Sequence, residues 1–540
     1  MQDNRPIATV PLTLGLSDAD PSVAPPAPPA SPPAPPASPA AASGPVRTAA
    51  EAFAQHARNP TGPFTRAPVR SLYIHIPFCS HKCHYCDFYS FVDTRDQQDA
   101  FVARLIDELR AIAPAAHTAG GAPMPLRTIF IGGGTPSMLR IDLWQRLLHA
   151  LHQYYDLSLI RAAASAFPAA LPSTTPHISE HLAEFTVECN PETCTPELLA
   201  ILSSGGVTRI SMGAQSFNTA HLRTLERTHR PESVFAALDA CRSAGITRTS
   251  IDLIYAIPGQ TLADLQSDLE IALSLGTEHL SCYNLIYEAS TPMRTRLLAG
   301  EFAAADESLE TAMFELVGTM LGPQSVRAGA PLHRYEVSNY ARLGAASIHN
   351  LAYWRHEQYL AAGPSASGHL YQSLPGSTAY TICQPGYRYK NAPNLGAYLR
   401  ADLEQTRGLA PLIELELPDA RRAIAETIMM GLRCAEGLPW SSPDVDDTER
   451  LPVPSSPDRT VRTVRTVLAA ITHAYGSEHA RAAARTADRL ISQGTLQLLP
   501  QSAAQANPGD RATPSRLCVT ETGWLVTDYA VKMLMPSATD

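Results

Sequence analysis

Cys79-Ser80-His81-Lys82-Cys83-His84-Tyr85-Cys86 sets three thiols at C-x3-C-x2-C spacing, close enough along the chain to wrap one metal centre. The chain carries ten cysteines in 540 residues, and the other seven are scattered. That is too sparse for a disulfide framework. Structural zinc closes four ligands, commonly from paired C-x2-C sets. His81 or His84 would have to complete such a set here. A four-iron cluster normally takes four thiolates, so three would leave one iron open to a further ligand. Spacing alone leaves both metals standing.

Other segments hold residues of ligand-binding type: Gly132-Gly133-Gly134-Thr135, Glu188-Cys189-Asn190, Gln215, Arg227 and Asp252. Glycines let a backbone approach a ligand closely. Taken singly, each segment has an ordinary explanation as a tight turn, a surface ion pair or a helix cap. Their positions in the pattern of elements connect them. Short apolar runs fall at 72–78, 128–134, 184–190, 209–215, 250–257 and 279–286. Helical patterns follow at 96–112, 141–153, 196–204, 231–244 and 261–274, with caps at Thr195-Pro196-Glu197 and at Thr261 with Asp264. Strands alternating with helices predict βαβ units and a parallel sheet. The expected fold is α/β, a partial (β/α)6 barrel of TIM type, whose active rim lies at the C-terminal strand ends. Cys79, Gly132–Thr135, Glu188–Asn190, Gln215 and Asp252 each sit at or just beyond such a strand.

Domain boundaries follow from composition. Residues 1–68 contain a stretch, 21–50, with 11 Pro and 10 Ala. Such a tract cannot pack a core, so a disordered tail is expected. The barrel is assigned to 69–330 and an extension to 331–440. Residues 159–182 read as a surface insertion, and 441–462, rich in Ser, Pro and Asp, as a linker or loop. From 463 to 540, helix, two short strands and helix predict a winged-helix-like α+β unit.

Six motifs, in order along the chain, carry a family resemblance. They are Tyr73-Ile-His75-Ile-Pro-Phe-Cys79, Gly132-Gly-Gly-Thr135-Pro-Ser137, Glu188-Cys-Asn190-Pro191, Ser211-Met-Gly213-Ala-Gln215-Ser-Phe217, Leu225-Glu-Arg227-Thr-His229 and Asp252 through Thr261. With the cysteine run they resemble the radical S-adenosylmethionine (SAM) superfamily, in the branch that holds the oxygen-independent coproporphyrinogen III oxidase HemN and the haem chaperone HemW. The resemblance implies a radical SAM barrel. It implies a four-iron four-sulfur (4Fe-4S) cluster on Cys79, Cys83 and Cys86, with SAM on the free iron. It implies SAM contacts at Tyr73, Tyr85, Gly133, Gly134, Thr135, Glu188, Gln215, Arg227 and Asp252. Glu188 suits the ligand amino group, Arg227 its carboxylate with a planar fork of donors, and Asp252 the ribose hydroxyls.

Two features separate the branch members. The oxidase extends its run to C-x3-C-x2-C-x-C, whereas this chain has Phe88 at the fourth position. His349-Asn350-Leu-Ala-Tyr353-Trp354 reproduces the HNxxYW motif of the chaperones. A histidine can ligate haem iron, and Tyr or Trp can flank a flat macrocycle. A packed turn with a satisfied histidine is the structural counterpart. The resemblance therefore implies binding of haem b at His349, Asn350, Tyr353 and Trp354, transfer to an acceptor haem protein at a membrane, and no coproporphyrinogen oxidation. The oxidase is the alternative. Two positions depart from the family: Glu226 before Arg227, and Ala256 after Tyr255, each replace a glycine. Neither should matter unless the backbone there needs a positive φ.

The formal net charge of −9 lacks a chain-wide basic footprint, so nucleic acid is not expected as ligand. No run of 18 apolar residues suggests a membrane span, and the first twenty residues lack a secretory pattern. A cytoplasmic protein, bound to membranes at most peripherally, is expected, with a homodimer as the candidate assembly.

Overall fold

The computed structural model describes residues 69–535 except 119–120, 167–181, 323–331, 372–382, 384, 407, 418, 441–447, 454–455, 465 and 500–514. The expected tail, residues 1–68, lies outside them. Six parallel strands lie side by side: β1 (Ser71–Ile76), β2 (Thr128–Gly133), β3 (Glu184–Cys189), β4 (Arg209–Gln215), β5 (Arg248–Tyr255) and β6 (His279–Asn284). Helices α1 (Gln98–Ile112), α2 (Ile141–Tyr154), α3 (Pro196–Ser204), α4 (Pro231–Ser243), α5 (Leu262–Ser274) and α6 (Glu307–Leu321) follow them in turn. The barrel strands and helices expected from the sequence are all present, with ends agreeing to within two residues. The Thr195 hydroxyl accepts from the Leu198 N–H, and Thr261 and Asp264 form a reciprocal capping box. Each such cap stabilises its helix by about 1 kcal/mol.

The two faces of each strand differ. Leu72, Ile74, Ile129, Ile131, Phe185, Val187, Ile210 and Met212 are fully buried in one apolar core with α1 to α5. The alternate positions carry Tyr73, His75, Glu184, Glu188, Arg209, Asp252 and His279. Parallel strands covered on both sides ordinarily read as continuous apolar runs. Here the period of 2 puts a polar face on the barrel interior, and that face builds the site.

The extension is stitched to both edges of this sheet. Strands β7 (His333–Glu336) and β8 (Asn339–Ala341) add antiparallel beyond β6, and β9 (Leu360–Ala362) adds parallel beside β1. The order is thus β9-β1-β2-β3-β4-β5-β6-β8-β7. The main core runs through Leu332, Tyr340, Leu360 and Tyr398, so packing does not break at 330. Within the expected insertion, Ser158–Ala166 forms a helix that buries Ile160 in the core. Within the expected linker, Thr448–Val453 pairs antiparallel with Ser456–Val464.

The C-terminal unit contains the four expected elements: α10 (Ser477–Ser492), two strands (Leu496–Leu499 and Arg516–Val519) and α11 (Thr527–Leu534). Its separate core reaches back to α8 (Ala420–Gly431) through Ile424, Ile428 and Leu432, and takes in α9 (Val467–Tyr475). The unit therefore begins well before residue 463.

Candidate metal centre and its ligand pocket

The cysteine loop leaves the C-terminal end of β1. Phe78–Cys79 pairs with Phe91–Val92, which closes the loop at its base. The Cys86 N–H donates to the Cys83 carbonyl at 3.2 Å and gives the loop one tight turn. All three thiols are free and half-buried. Donors from distant segments aim at two of them. The Thr135 hydroxyl reaches Cys79 Sγ at 3.5 Å, and Arg227 Nη1 reaches Cys83 Sγ at 3.7 Å. Hydroxyl and guanidinium donors are what anionic sulfur ligands need around them. Among the described residues no trio of His, Cys, Asp or Glu stands preformed at metal-ligand separation. Metal binding draws such ligands together. Three thiols on one loop, ringed by donors, fit a cluster with one open iron.

The pocket beside the loop gathers the other candidates. Gly133 has φ +110°, and a Cβ there would lie 2.5 Å from the His75 ring. A Cβ on Gly134 would lie 2.7 Å from the Phe78 carbonyl. These glycines let the β2 turn press against the cysteine loop; the Gly134 and Thr135 N–H groups donate to the carbonyls of Ile76 and Phe78. Glu188 Oε2 accepts from the Gly133 N–H at 3.1 Å. Burial, with Asp252 nearby, pushes its carboxyl up to about 7. Burial also raises Asp252, whose Oδ1 accepts from the Ser281 hydroxyl at 2.7 Å. Arg227 Nη2 donates to the Gly213 carbonyl at 2.7 Å, and Gln215 stands at φ 64° on the same strand end. Tyr85 is half-buried, and desolvation pushes its phenol up in a field shared by Arg227, Cys83, Cys86 and Asp252. Tyr73 bonds His75 Nδ1 at 2.9 Å, and His75 Nε2 bonds the Tyr89 carbonyl at 2.8 Å. His75 thus fixes the far side of the cysteine loop. Its place in the motif Tyr73–Cys79 gave no sign of that role, because the Tyr89 carbonyl reaches it only once the loop is folded.

The HNxxYW segment forms α7 (Ile348–Trp354), and its first turn enters the barrel interior rather than a surface groove. Glu184 Oε1 accepts from the Ser347 hydroxyl at 3.0 Å and the His349 N–H at 2.9 Å. His349 is 1% exposed. Its Nδ1 bonds Thr128 Oγ1 and its Nε2 bonds the Tyr353 hydroxyl, both at 2.7 Å, while its ring stacks on Phe130. Burial lowers its pKa to about 4. Both ring nitrogens are engaged, so ligation of iron would require the Tyr353 contact to open. Asn350 Nδ2 donates to Tyr335 Oη at 3.2 Å. Tyr353 and Trp354 remain half-buried.

The radical SAM superfamily profile matches residues 73–272. The chain is 34% identical to the haem chaperone HemW of Lactococcus lactis over 368 residues, 68% of this chain and 82% of that one. It is 31% identical to the HemW of Mycobacterium tuberculosis, over 70% of this chain and 85% of that one. The chain belongs to the radical SAM superfamily, in its HemN/HemW branch. The fold agrees with that of the radical SAM coproporphyrinogen III oxidase HemN from Escherichia coli, at TM-score 0.60 and 19% identity, covering 90% of this chain and 93% of that one.

Both departures from this branch's usual glycines fall at left-handed backbone. Glu226 has φ 56° and Ala256 φ 60°. The condition under which they would matter is therefore met. Glu226 ends the short helix Thr219–Thr224: its N–H donates to the Arg223 carbonyl, and the Arg227 N–H to that of Leu222. That ending favours glycine, and it aims Arg227, the branch's candidate for the SAM carboxylate. Glu226→Gly is expected to stabilise the fold by about 1 kcal/mol through relief of left-handed strain. Urea unfolding measures this as a higher midpoint. SAM affinity should stay within about twofold, a change of only some 0.4 kcal/mol.

Proposed function

We propose that this chain is a haem chaperone: it binds haem b, a 4Fe-4S cluster and SAM, and hands the haem to an acceptor protein. The observation that carries the reading is Phe88. It stands 67% exposed on the cysteine loop, at the position where the oxidase's run has its additional cysteine. Relatives named as haem chaperones, and α7 with its HNxxYW sequence, support it.

In this reading Cys79, Cys83 and Cys86 hold the cluster, and the group supplies an open iron that chelates SAM. The protein's own part is positioning. Glu188, held by the Gly133 N–H, takes the SAM amino group. Arg227 takes the carboxylate, and Asp252, steadied by Ser281, takes ribose hydroxyls. Tyr73, Tyr85, Gly134, Thr135 and Gln215 shape the cavity around them. Tyr353 and Trp354 offer partly open aromatic surface to a porphyrin, Asn350 flanks them, and His349 Nε2 becomes a ligand only when the Tyr353 hydroxyl lets go. No helix among the described residues is long and apolar enough to cross a membrane. Delivery to a membrane-bound acceptor would therefore proceed by docking.

The test is anaerobic incubation of the reconstituted protein with coproporphyrinogen III, SAM and a reductant, beside a haem-retention assay. Stoichiometric haem retention without porphyrinogen consumption is expected. Multiple turnovers to protoporphyrinogen IX would replace the chaperone with the oxidase.

A further inference from the structure

The interior face of the barrel carries more charge than the site residues account for. Glu184 and Glu188 on β3 and Asp252 on β5 are three carboxylates on the two strands that flank β4. Glu184 lies at the barrel floor, where Arg248 Nη2 is 3.8 Å from it while Arg248 Nε bonds Glu278 at 2.9 Å, and the charge of Arg209 also holds its carboxyl down. Arg227 is committed to the Gly213 carbonyl and Cys83. His279 cannot help, because burial holds it neutral. Among the described residues of this face, one more cation remains.

Arg209 opens β4 and is 2% exposed, among the largest fully buried side chains of the molecule. Its Nε has no hydrogen-bond partner among the described residues. An arginine keeps its charge under these conditions, and a buried charge needs compensation. Register puts Arg209 opposite Thr186, midway between Glu184 and Glu188 on the same face. Ser211, two residues on and on the same face, pairs with Glu188, and Gly213 pairs with Asp252. At about 3.3 Å rise per residue, Arg209 starts some 7 Å below the level of Glu188, a gap its long side chain can span.

We propose that Arg209 is a positioning residue of the SAM site, whose guanidinium supplies the positive charge that keeps Glu188 and Asp252 ionised for a cationic ligand. This rests on the SAM reading of the pocket. The sulfonium of SAM is attracted only by the ionised acids, so affinity should follow their ionisation. The other groups facing them stay constant near neutral pH: Arg227 remains charged, burial raises the phenols of Tyr73, Tyr85 and Tyr353 and the thiol of Cys282, and burial lowers His75 to about 4. Both acids titrate above their ordinary range, and the Arg209 charge works against that rise. Its removal displaces ionisation to still higher pH.

The experiment is equilibrium dialysis of SAM against the anaerobically reconstituted full-length protein, from pH 6.5 to 9. Wild-type affinity should rise through about pH 7, where Glu188 ionises. Arg209→Met should bind about fivefold more weakly at pH 7, as it would if an acid half-ionised there ionised about one pH unit higher, and recover to within about threefold by pH 9. Arg209→Lys, which keeps the charge, should stay within about threefold throughout. Wild-type affinity for Arg209→Met at pH 7, or a loss of the same factor at every pH, would overturn the proposal. If Arg209→Met does not load its cluster, Arg209→Lys decides. Near wild-type binding then supports the charge role, and a loss of about fivefold at every pH overturns it. Failure of the wild type itself to bind SAM would instead remove the reading of the pocket.

Discussion

Protein carrying Cys79→Ala, Cys83→Ala and Cys86→Ala together takes up no four-iron cluster on anaerobic reconstitution and loses SAM binding with it. The effect is expected to be complete. The other seven thiols are buried; Cys189, Cys194, Cys241 and Cys282 pack inside the main core and supply no replacement at the loop. Fold and stability should change little, because the three side chains are half-buried and the loop base is held by Phe78, Phe91 and the backbone bonds of Gly134 and Thr135. Iron and sulfide analysis with visible absorbance reads the loss, and circular dichroism reads the unchanged fold. Stoichiometric zinc in the anaerobically prepared wild type, without iron uptake, would instead put His81 or His84 in the set.

His349→Ala carries the second large effect. A surface ligand would come away at little structural cost. His349 instead ties β2 to α7 through Thr128 and Tyr353, and stacks on Phe130 from inside the barrel. Truncation leaves two buried hydroxyls short of a partner and opens a cavity. Together these cost about 3 kcal/mol. Urea unfolding should register that loss. A histidine whose folded pKa is about 4 binds its proton mainly when unfolded. Its contribution to stability is therefore full above about pH 6.5, its ordinary pKa, and is lost as pH falls toward 4. The acid limb of wild-type stability should flatten in His349→Ala. Unchanged stability with haem binding abolished would make His349 a ligand rather than a strut.

Much of the barrel was legible because its signals are local. The short apolar runs at 72–78 and 209–215, and caps such as Thr261 with Asp264, act within a few residues, and the elements followed those marks. The cysteine spacing and the polar strand ends were equally local. Three strands that join the main sheet were not legible. His333–Glu336, Asn339–Ala341 and Leu360–Ala362 are too short to show a period, and they are strands only because the exposed edges of β6 and β1 offer hydrogen bonds.

Packing across the barrel set what several legible residues do. His349 and Trp354 share one six-residue motif, yet one is sealed in the barrel and the other is half-open, because the direction of α7 is set by Glu184 from a strand more than 150 residues away. The left-handed backbone at Glu226 and Ala256 could not be read from side chains that ordinarily avoid it. Which elements form, and which chemical groups stand at their ends, is written into short stretches of the chain. Which of those groups meet is not, because charge balance among Glu184, Glu188, Asp252, Arg209 and Arg248 exists only once the strands are side by side.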